Sequence, residues 1–280
     1  MNKENTILIY GGDETASAIA LKLFNSILNV VMYVSADEVF LRHNLCFGDA
    51  ISQNQKAIGN VTSVTIPEDL MASDNNNSFW EKIRGATQHI IKDRKIPVLH
   101  EIAIAEALKA ISPKIIINTL QPDALKLALE DITYVIGFYP HHSPGKDCHL
   151  AIETRLNYRL GEIYNPETQD TSDSKSELLF LKDPFAICST PIEGVWVALK
   201  EIGEKVKYND PLGKINDIEI RSPYDGQIWG IVHSGRYYAA KSSIAKIYTG
   251  LPSENYRYFS FRENAIAGGA LEAVFKMLNY

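Results

Sequence analysis

The sequence predicts an α/β protein in which a doubly wound parallel sheet is followed by an all-β domain and a closing helix. Three observations carry this. Short apolar runs alternate with amphipathic helical stretches through the first half. The second half repeats itself at a fixed spacing, with glycines at matching places. The C-terminal stretch FRENAIAGGALEAVFKML places Ile266, Ala270, Val274 and Met277 at helical spacing.

The first half is read element by element. TILIY is a short buried-type strand, and GGDETASAIALKLFNSIL is a turn leading into a helix, with Ala16, Ile19, Ala20, Leu23, Phe24 and Ile27 on one face. NVVMYV and SVTIP read as strands. SFWEKIRGATQHIIKD reads as a helix, with Ser78 as N-cap and Glu81 three residues on. IPVLH is a strand, EIAIAEALKAI a helix, KIIIN a strand, PDALKLALE a helix and TYVIGF a strand. Strands that alternate with helices pair in parallel beneath helical layers. A Rossmann-like sheet is therefore expected from about Asn5 to Glu153, in a domain spanning 1–164. The stretches 72–78 (ASDNNNS) and 165–177 (NPETQDTSDSKSE) are polar and read as loops, the second lying in a linker at 165–182.

The domain at 183–250 repeats. Pro191 matches Pro223, Gly194 matches Gly226, Gly203 matches Gly235, Lys214 matches Lys246 and Ile215 matches Ile247, each pair 32 positions apart. Glu193 and Asp225 keep an acid in the same turn. Glycines at fixed offsets are what tight turns at positive φ require, and two half-units that cannot each bury a face pair around a pseudo-twofold. This is the pattern of a barrel-sandwich hybrid, the lipoyl- and biotinyl-like fold. Yet no lysine lies between Ile215 and Gly226, where the cofactor-bearing residue would sit, so neither lipoate nor biotin is expected. The segment 251–280 holds the closing helix, in which Gly268 and Gly269 imply close backbone packing.

Composition narrows function by exclusion. The formal charge is −6 and no basic block is present, so a nucleic-acid partner is not expected. No apolar run approaches the ~18 residues of a membrane span, and a membrane partner is not expected either. Three widely spaced cysteines and an N-terminus without signal-peptide layout point to the cytoplasm. Homo-oligomerisation and catalysis are left open.

Two places could carry chemistry. The first loop, Gly11, Gly12 and Asp13, follows a strand and opens a helix, where backbone N–H groups suit an anion. The three-glycine dinucleotide spacing is absent and Asp13 would repel a phosphate, so a nucleotide there is doubtful. Asp37 follows the second strand, in the position of a ribose-binding acid. An equally weighted reading makes the loop a plain strand-to-helix turn capped by Asp13 or Thr15. The second place is YPHHSPGKDCHLAIET, which holds His141, His142, Asp147, Cys148, His149 and Glu153. His149 and Glu153 share a face whether the segment is strand or helix, and Cys148 faces the core if it is a strand. With His141 they form the expected ligand cleft, and a surface hydrogen bond is the competing reading. No metal site is expected, since no paired short-spacing ligand set is visible. The chain carries no nucleophile elbow.

Taken together, DCHLAIETRLNYRLGEIY, GVWVALKEIGEKVKYNDPLGKI, IRSPYDGQIWGIV, ENAIAGGALEAVF and NLCFGDAI resemble the accessory family of selenium-dependent molybdenum hydroxylases (YqeB-like), distantly related to xanthine dehydrogenase accessory factors. The resemblance implies a Rossmann-like domain joined to a lysine-free barrel-sandwich domain. It implies an accessory role in maturing a molybdenum hydroxylase client, through a molybdopterin-type molybdenum cofactor or its terminal sulfur or selenium ligand. The ligand-side loops GGDE, NTL (118–120) and FYPHH depart from the family pattern, which implies a divergent member with lost or altered nucleotide binding.

Overall fold

A computed structural model describes residues 6–35, 37–67, 78–125, 134–168 and 184–278. Residues 72–77 of the expected polar loop, residues 126–130 of the expected fourth helix and 169–182 of the expected linker lie outside them. The chain divides into two units, one of 1–38, 46–178 and 260–280, the other of 39–45 and 179–259. The closing helix thus belongs to the first unit.

The larger unit is built on strands β1 (Thr6–Tyr10), β2 (Asn29–Tyr33), β3 (Gln55–Ile58), β4 (Val61–Thr65), β5 (Ile96–Leu99), β6 (Ile115–Asn118), β7 (Tyr134–Tyr139), β8 (Leu150–Glu153) and β9 (Ile163–Tyr164). They form one nine-stranded sheet in the order β3-β4-β5-β2-β1-β6-β7-β8-β9. The seven strands from β4 to β8 in that order run parallel, and β3 and β9 are antiparallel flanks. β5, β6 and β8 are buried at every residue, as parallel strands covered on both faces must be.

Helices cover the sheet: α1 (Glu14–Asn25), the short α2 (Ala50–Gln53), α3 (Ser78–Lys92), α4 (Ile104–Ile111) and α5 (Phe261–Leu278). Ile83 and Ile90 of α3 and Ala107 and Ala110 of α4 pack with Leu8, Tyr10, Val31, Tyr33 and Leu99. α1 and α5 pack on each other, α1 also on β1 and β2, and α5 on β6, β7 and β8. α5 spans the stretch expected from its periodicity. It opens at Ser260, whose N–H is bound by Glu263 Oε2 at 2.6 Å, the reciprocal half of a capping box. A Cβ at Gly269 would strike the Gly161 carbonyl, whereas Gly268 faces open space, so only one of the two glycines answers to close packing. α3 begins at Ser78, whose side chain lies outside the described residues. α4 starts three residues later than the periodicity predicts, because Glu101 sits at φ 58°, outside helical space. Of the stretch PDALKLALE, Pro122–Ala124 form a single 3-10 turn. Among the described residues no helix is long and apolar enough to cross a membrane.

The smaller unit holds β10 (Phe185–Ser189), β11 (Gly194–Ala198), β12 (Lys205–Val206), β13 (Pro211–Ile215), β14 (Ile218–Arg221), β15 (Gly226–Ile231), β16 (Tyr237–Tyr238) and β17 (Ser243–Tyr248). Two four-stranded sheets result, β10-β17-β15-β12 and β14-β13-β11-β16. The 32-residue offset of the sequence is also an offset of pairing. Trp196 faces Ile215 as Ile228 faces Ile247, and Gly194 faces Tyr238 as Gly226 faces Val206. Each half sends its shortest strand, β12 or β16, into the sheet of the other. Gly203 and Gly235 sit at φ 95° and 81°, in equivalent turns. Trp196, Leu212, Ile215, Ile228, Ile244 and Ile247 form its core.

Candidate functional site

β1 feeds outward to β2 and β5, and the chain later returns to β6 on the other side of β1. Such a reversal of winding opens a crevice at the carboxyl ends of the two strands that flank it, here at Gly11 and Asn118. The residues around it come from the loops after β1, β2, β6 and β7.

Gly11 donates its N–H to the Tyr33 carbonyl at 2.9 Å and lies at φ 128°. A side chain there would strike Thr119 Oγ1, which itself donates to the Tyr10 carbonyl at 2.9 Å. Gly12 donates to Glu38 Oε2 at 2.7 Å, and Ser35 donates to Glu38 Oε1 at 2.9 Å. Asp13 caps α1, its Oδ1 accepting the Ala16 N–H at 2.8 Å. The loop's anion-seeking donors are thus taken by two carboxylates of the chain itself. Burial pushes Glu38 up to about 7, against the two N–H bonds that favour its charge. Burial, then the neighbouring Glu14, pushes Asp13 up to about 6. Tyr10 and Tyr33 meet edge to face with centroids 5.1 Å apart, and burial raises both phenols.

The acid after β2 that reaches this loop is Glu38, and Asp37 beside it is exposed. Sequence reasoning passed over Glu38, though a signal was present. Ser35-Ala-Asp-Glu38 is an S-x-x-E turn, the pattern in which the acid reaches back to the first residue's N–H.

On the far side, His142 is fully buried at the ends of β6 and β7. Its ring fills the space a side chain at Gly137 would need. Nδ1 lies 3.1 Å from the Phe138 nitrogen and 3.3 Å from the Phe138 oxygen, and Nε2 lies 3.1 Å from Asn118 Nδ2. Burial lowers its pKa, with Asp147 and the Phe138 bond opposing. The neighbouring His141 is exposed.

The expected pairing of His149 with Glu153 does not form. β8 is a strand, and at ~3.3 Å per residue four residues put the two about 13 Å apart. His149 precedes β8 at the amino ends of the strands, where its Nδ1 accepts the Val135 N–H at 3.0 Å and Tyr134 meets it edge to face. Burial lowers its pKa. Glu153 lies at the carboxyl end, fully buried. Arg155 grips it bidentately, Nε to Oε1 at 3.0 Å and Nη2 to Oε2 at 2.7 Å, and Tyr164 donates to Oε2 at 3.2 Å. Burial would raise this carboxyl, but the Arg155 bonds outweigh it and hold it low. The Arg155 guanidinium also lies over the Tyr139 ring, 4.8 Å from its centroid. Cys148 is fully buried, and burial raises its thiol, which suits a small core residue.

Fold and site together define a mixed α/β domain in which Gly12, Glu38, Asn118 and His142 lie at the carboxyl ends of the parallel strands, Asn118 and His142 buried. No family model matches the chain. It is similar to the uncharacterized protein YqeB of Escherichia coli (strain K12), with 23% identity over 274 residues that cover 98% of this chain and 48% of that protein. The chain therefore spans about half the length of that relative. Among solved structures it is similar to a succinylglutamate desuccinylase/aspartoacylase family protein of Shewanella amazonensis SB2B, with TM-score 0.26, 10% identity and coverage of 88% of this chain and 91% of that one. An aspartoacylase family protein of Mesorhizobium loti MAFF303099 gives TM-score 0.24, 11% identity and coverage of 87% and 84%.

These findings correct the family expectation. The similar solved structures are desuccinylase and aspartoacylase family proteins, and the Escherichia coli relative is an uncharacterized protein. None is described as a molybdenum hydroxylase accessory, a xanthine dehydrogenase accessory factor or a lipoyl-type carrier. The accessory-family, molybdenum, selenium and barrel-sandwich carrier expectations are therefore corrected. At TM-scores of 0.24 to 0.26 the structural neighbours in turn lend this chain neither fold nor activity.

Proposed function

We propose that the larger unit is a small-molecule-binding domain of doubly wound, Rossmann-like type. Its ligand would occupy the crevice between the first loop and the loop after β6, and present hydroxyl groups, not a phosphate, to the first loop. The order β5-β2-β1-β6-β7-β8 follows the 3-2-1-4-5-6 order of dinucleotide-binding sheets, where an acid after the second strand meets ribose hydroxyls. That part of the reading is fold analogy. The observation that carries the rest is Glu38, whose carboxylate occupies the Gly12 and Ser35 N–H groups. A phosphate would have to evict one carboxylate and sit beside Asp13. A ribose diol can donate to Glu38 while its N–H bonds stay in place, because each carboxylate oxygen accepts more than one bond. A nucleoside without phosphate is the ligand class that fits.

Calorimetric titration with adenosine, adenosine monophosphate and NAD tests this. Adenosine should bind at least as tightly as either phosphorylated compound. Glu38→Gln should weaken adenosine at least tenfold, since a hydrogen bond to a charged acceptor contributes about 1.5–3 kcal/mol. A tenfold preference for a phosphorylated compound, or no binding of any of the three, defeats the reading.

A further inference from the structure

Four tyrosines are buried among the described residues, Tyr10, Tyr33, Tyr164 and Tyr238. A buried phenol ordinarily keeps a hydrogen bond, because taking a hydroxyl out of water without one is unfavourable. Three of the four do so. Tyr33 donates to the Ile102 carbonyl at 2.7 Å, Tyr164 to Glu153 Oε2 at 3.2 Å and Tyr238 to the His233 carbonyl at 3.2 Å. The Tyr10 hydroxyl has no hydrogen-bond partner among the described residues, although Tyr10 is only 6% exposed.

The ring is held where it stands. Tyr10 closes β1, paired with Tyr33 on one side and Asn118 on the other. Its carbonyl accepts the N–H and the Oγ1 of Thr119, at 3.0 and 2.9 Å. Its ring packs with Leu8, Val31, Leu99 and Ile116 and meets the Tyr33 ring edge to face. The phenol therefore sits at the carboxyl end of the strand, just ahead of the Gly12 N–H that binds Glu38 Oε2. The charge of Glu38 bears on it, adding to the burial that raises its pKa.

The two groups require complementary partners. An ionised carboxylate only accepts, whereas a phenol has a proton to donate. A ligand hydroxyl can donate to the first and accept from the second, and two adjacent hydroxyls can do so one each. A phosphate or carboxylate could take the phenol proton but would face the charge of Glu38. An ammonium could serve Glu38 but would leave the phenol proton unused. We propose that Tyr10 is a ligand-binding, specificity-determining residue that reads a vicinal diol together with Glu38, one hydroxyl donating to the carboxylate and the diol accepting the Tyr10 proton. This rests on the function proposed above, and makes Tyr10 the residue that separates a ribose from a deoxyribose.

The test removes hydroxyls from protein and ligand in turn. The intact chain and Tyr10→Phe are titrated calorimetrically with adenosine, 2′-deoxyadenosine and 3′-deoxyadenosine, weak binders being followed by ligand-observed nuclear magnetic resonance. Tyr10→Phe should weaken adenosine about threefold to tenfold, the contribution of a neutral hydrogen bond. With one of the two deoxy compounds, parent and variant should bind alike, since the hydroxyl that took the phenol proton is gone. A merely structural ring would not show that dependence on the ligand. Tyr10→Phe should also melt no lower than the parent, because it breaks no hydrogen bond among the described residues. An equal loss for all three ligands, no loss for adenosine (as water at the phenol would give) or a lower Tm in the variant overturns the assignment. Adenosine that binds, weakens in Glu38→Gln and ignores Tyr10→Phe sinks this inference and leaves the proposed function standing. Adenosine that does not bind at all sinks both.

Discussion

Glu38 and Gly12 are 26 positions apart and joined by a 2.7 Å hydrogen bond that closes the first loop onto the turn after β2. The carboxylate does for the loop what an anionic ligand does elsewhere. It makes the protonation of one side chain a property of the crevice.

The pH dependence follows from its sign. Glu38 titrates near 7 when folded and in the ordinary carboxylate range when unfolded. A raised group contributes stability that is fully present below the unfolded value and is lost as pH rises through the folded one. Between pH 4.5 and 7.5 the parent should therefore lose stability relative to Glu38→Gln as pH increases. Urea titrations of both proteins at those two pH values measure the difference, and parallel pH profiles would contradict it.

Arg155 should matter more than its exposure suggests. Removing it leaves Glu153 buried without its main partner, and breaking a buried pair costs about 3–5 kcal/mol. With its side chain about a quarter exposed, Arg155→Met should cost about 3 kcal/mol. Adding Glu153→Gln should recover part of that. A double variant as unstable as the sum of the singles would show that the pair does not act as a unit.

Ile27 should be improvable. It is β-branched, sits at φ 65° and is 79% exposed just beyond the end of α1, a position that favours glycine. Ile27→Gly should stabilise the protein by about 1 kcal/mol, an increase of a few degrees in Tm. An unchanged or lower Tm would argue against strain at this turn.

The two equivalent turns of the smaller unit should respond alike but not equally. Valine at Gly203 or Gly235 forces a β-branched residue into positive φ, at about 1–3 kcal/mol. Gly203 should cost more, because its side chain would also meet the Tyr256 ring at 2.6 Å, whereas Gly235 faces open space. Thermal melts of the two single variants give the order, and the reverse order would sink the argument.

Much of the scaffold was legible because its signals are periodic. The run TILIY, the spacing from Ala16 to Phe24 and the 32-residue repeat each depend on local pattern alone. The flanking strands β3 and β9 were not legible: QKAI carries little apolar signal, and Ile163–Tyr164 is only two residues long. The site was harder still. His149 and Glu153 share a face in the sequence pattern, but a face does not say which end of the sheet a residue occupies, and His149 falls just before β8. Asp37 and Glu38 are neighbours of the same charge, and only the turn from Ser35 decides which one reaches Gly12. His142 is placed by Gly137, and the need for an empty Cβ position mid-strand appears only when the ring is seen filling it.

The exchange of β12 and β16 between the two sheets of the smaller unit means that neither half is a foldable piece. Each half completes its sheet with two residues that belong to the other, in registers that the 32-residue shift interconverts. Two separate copies of one half could make the same exchange, so the unit has the logic of a dimer whose partners have been spliced end to end. Cleaved in the turn between Arg221 and Gly226, its fragments should find each other again in solution and behave as a split protein does.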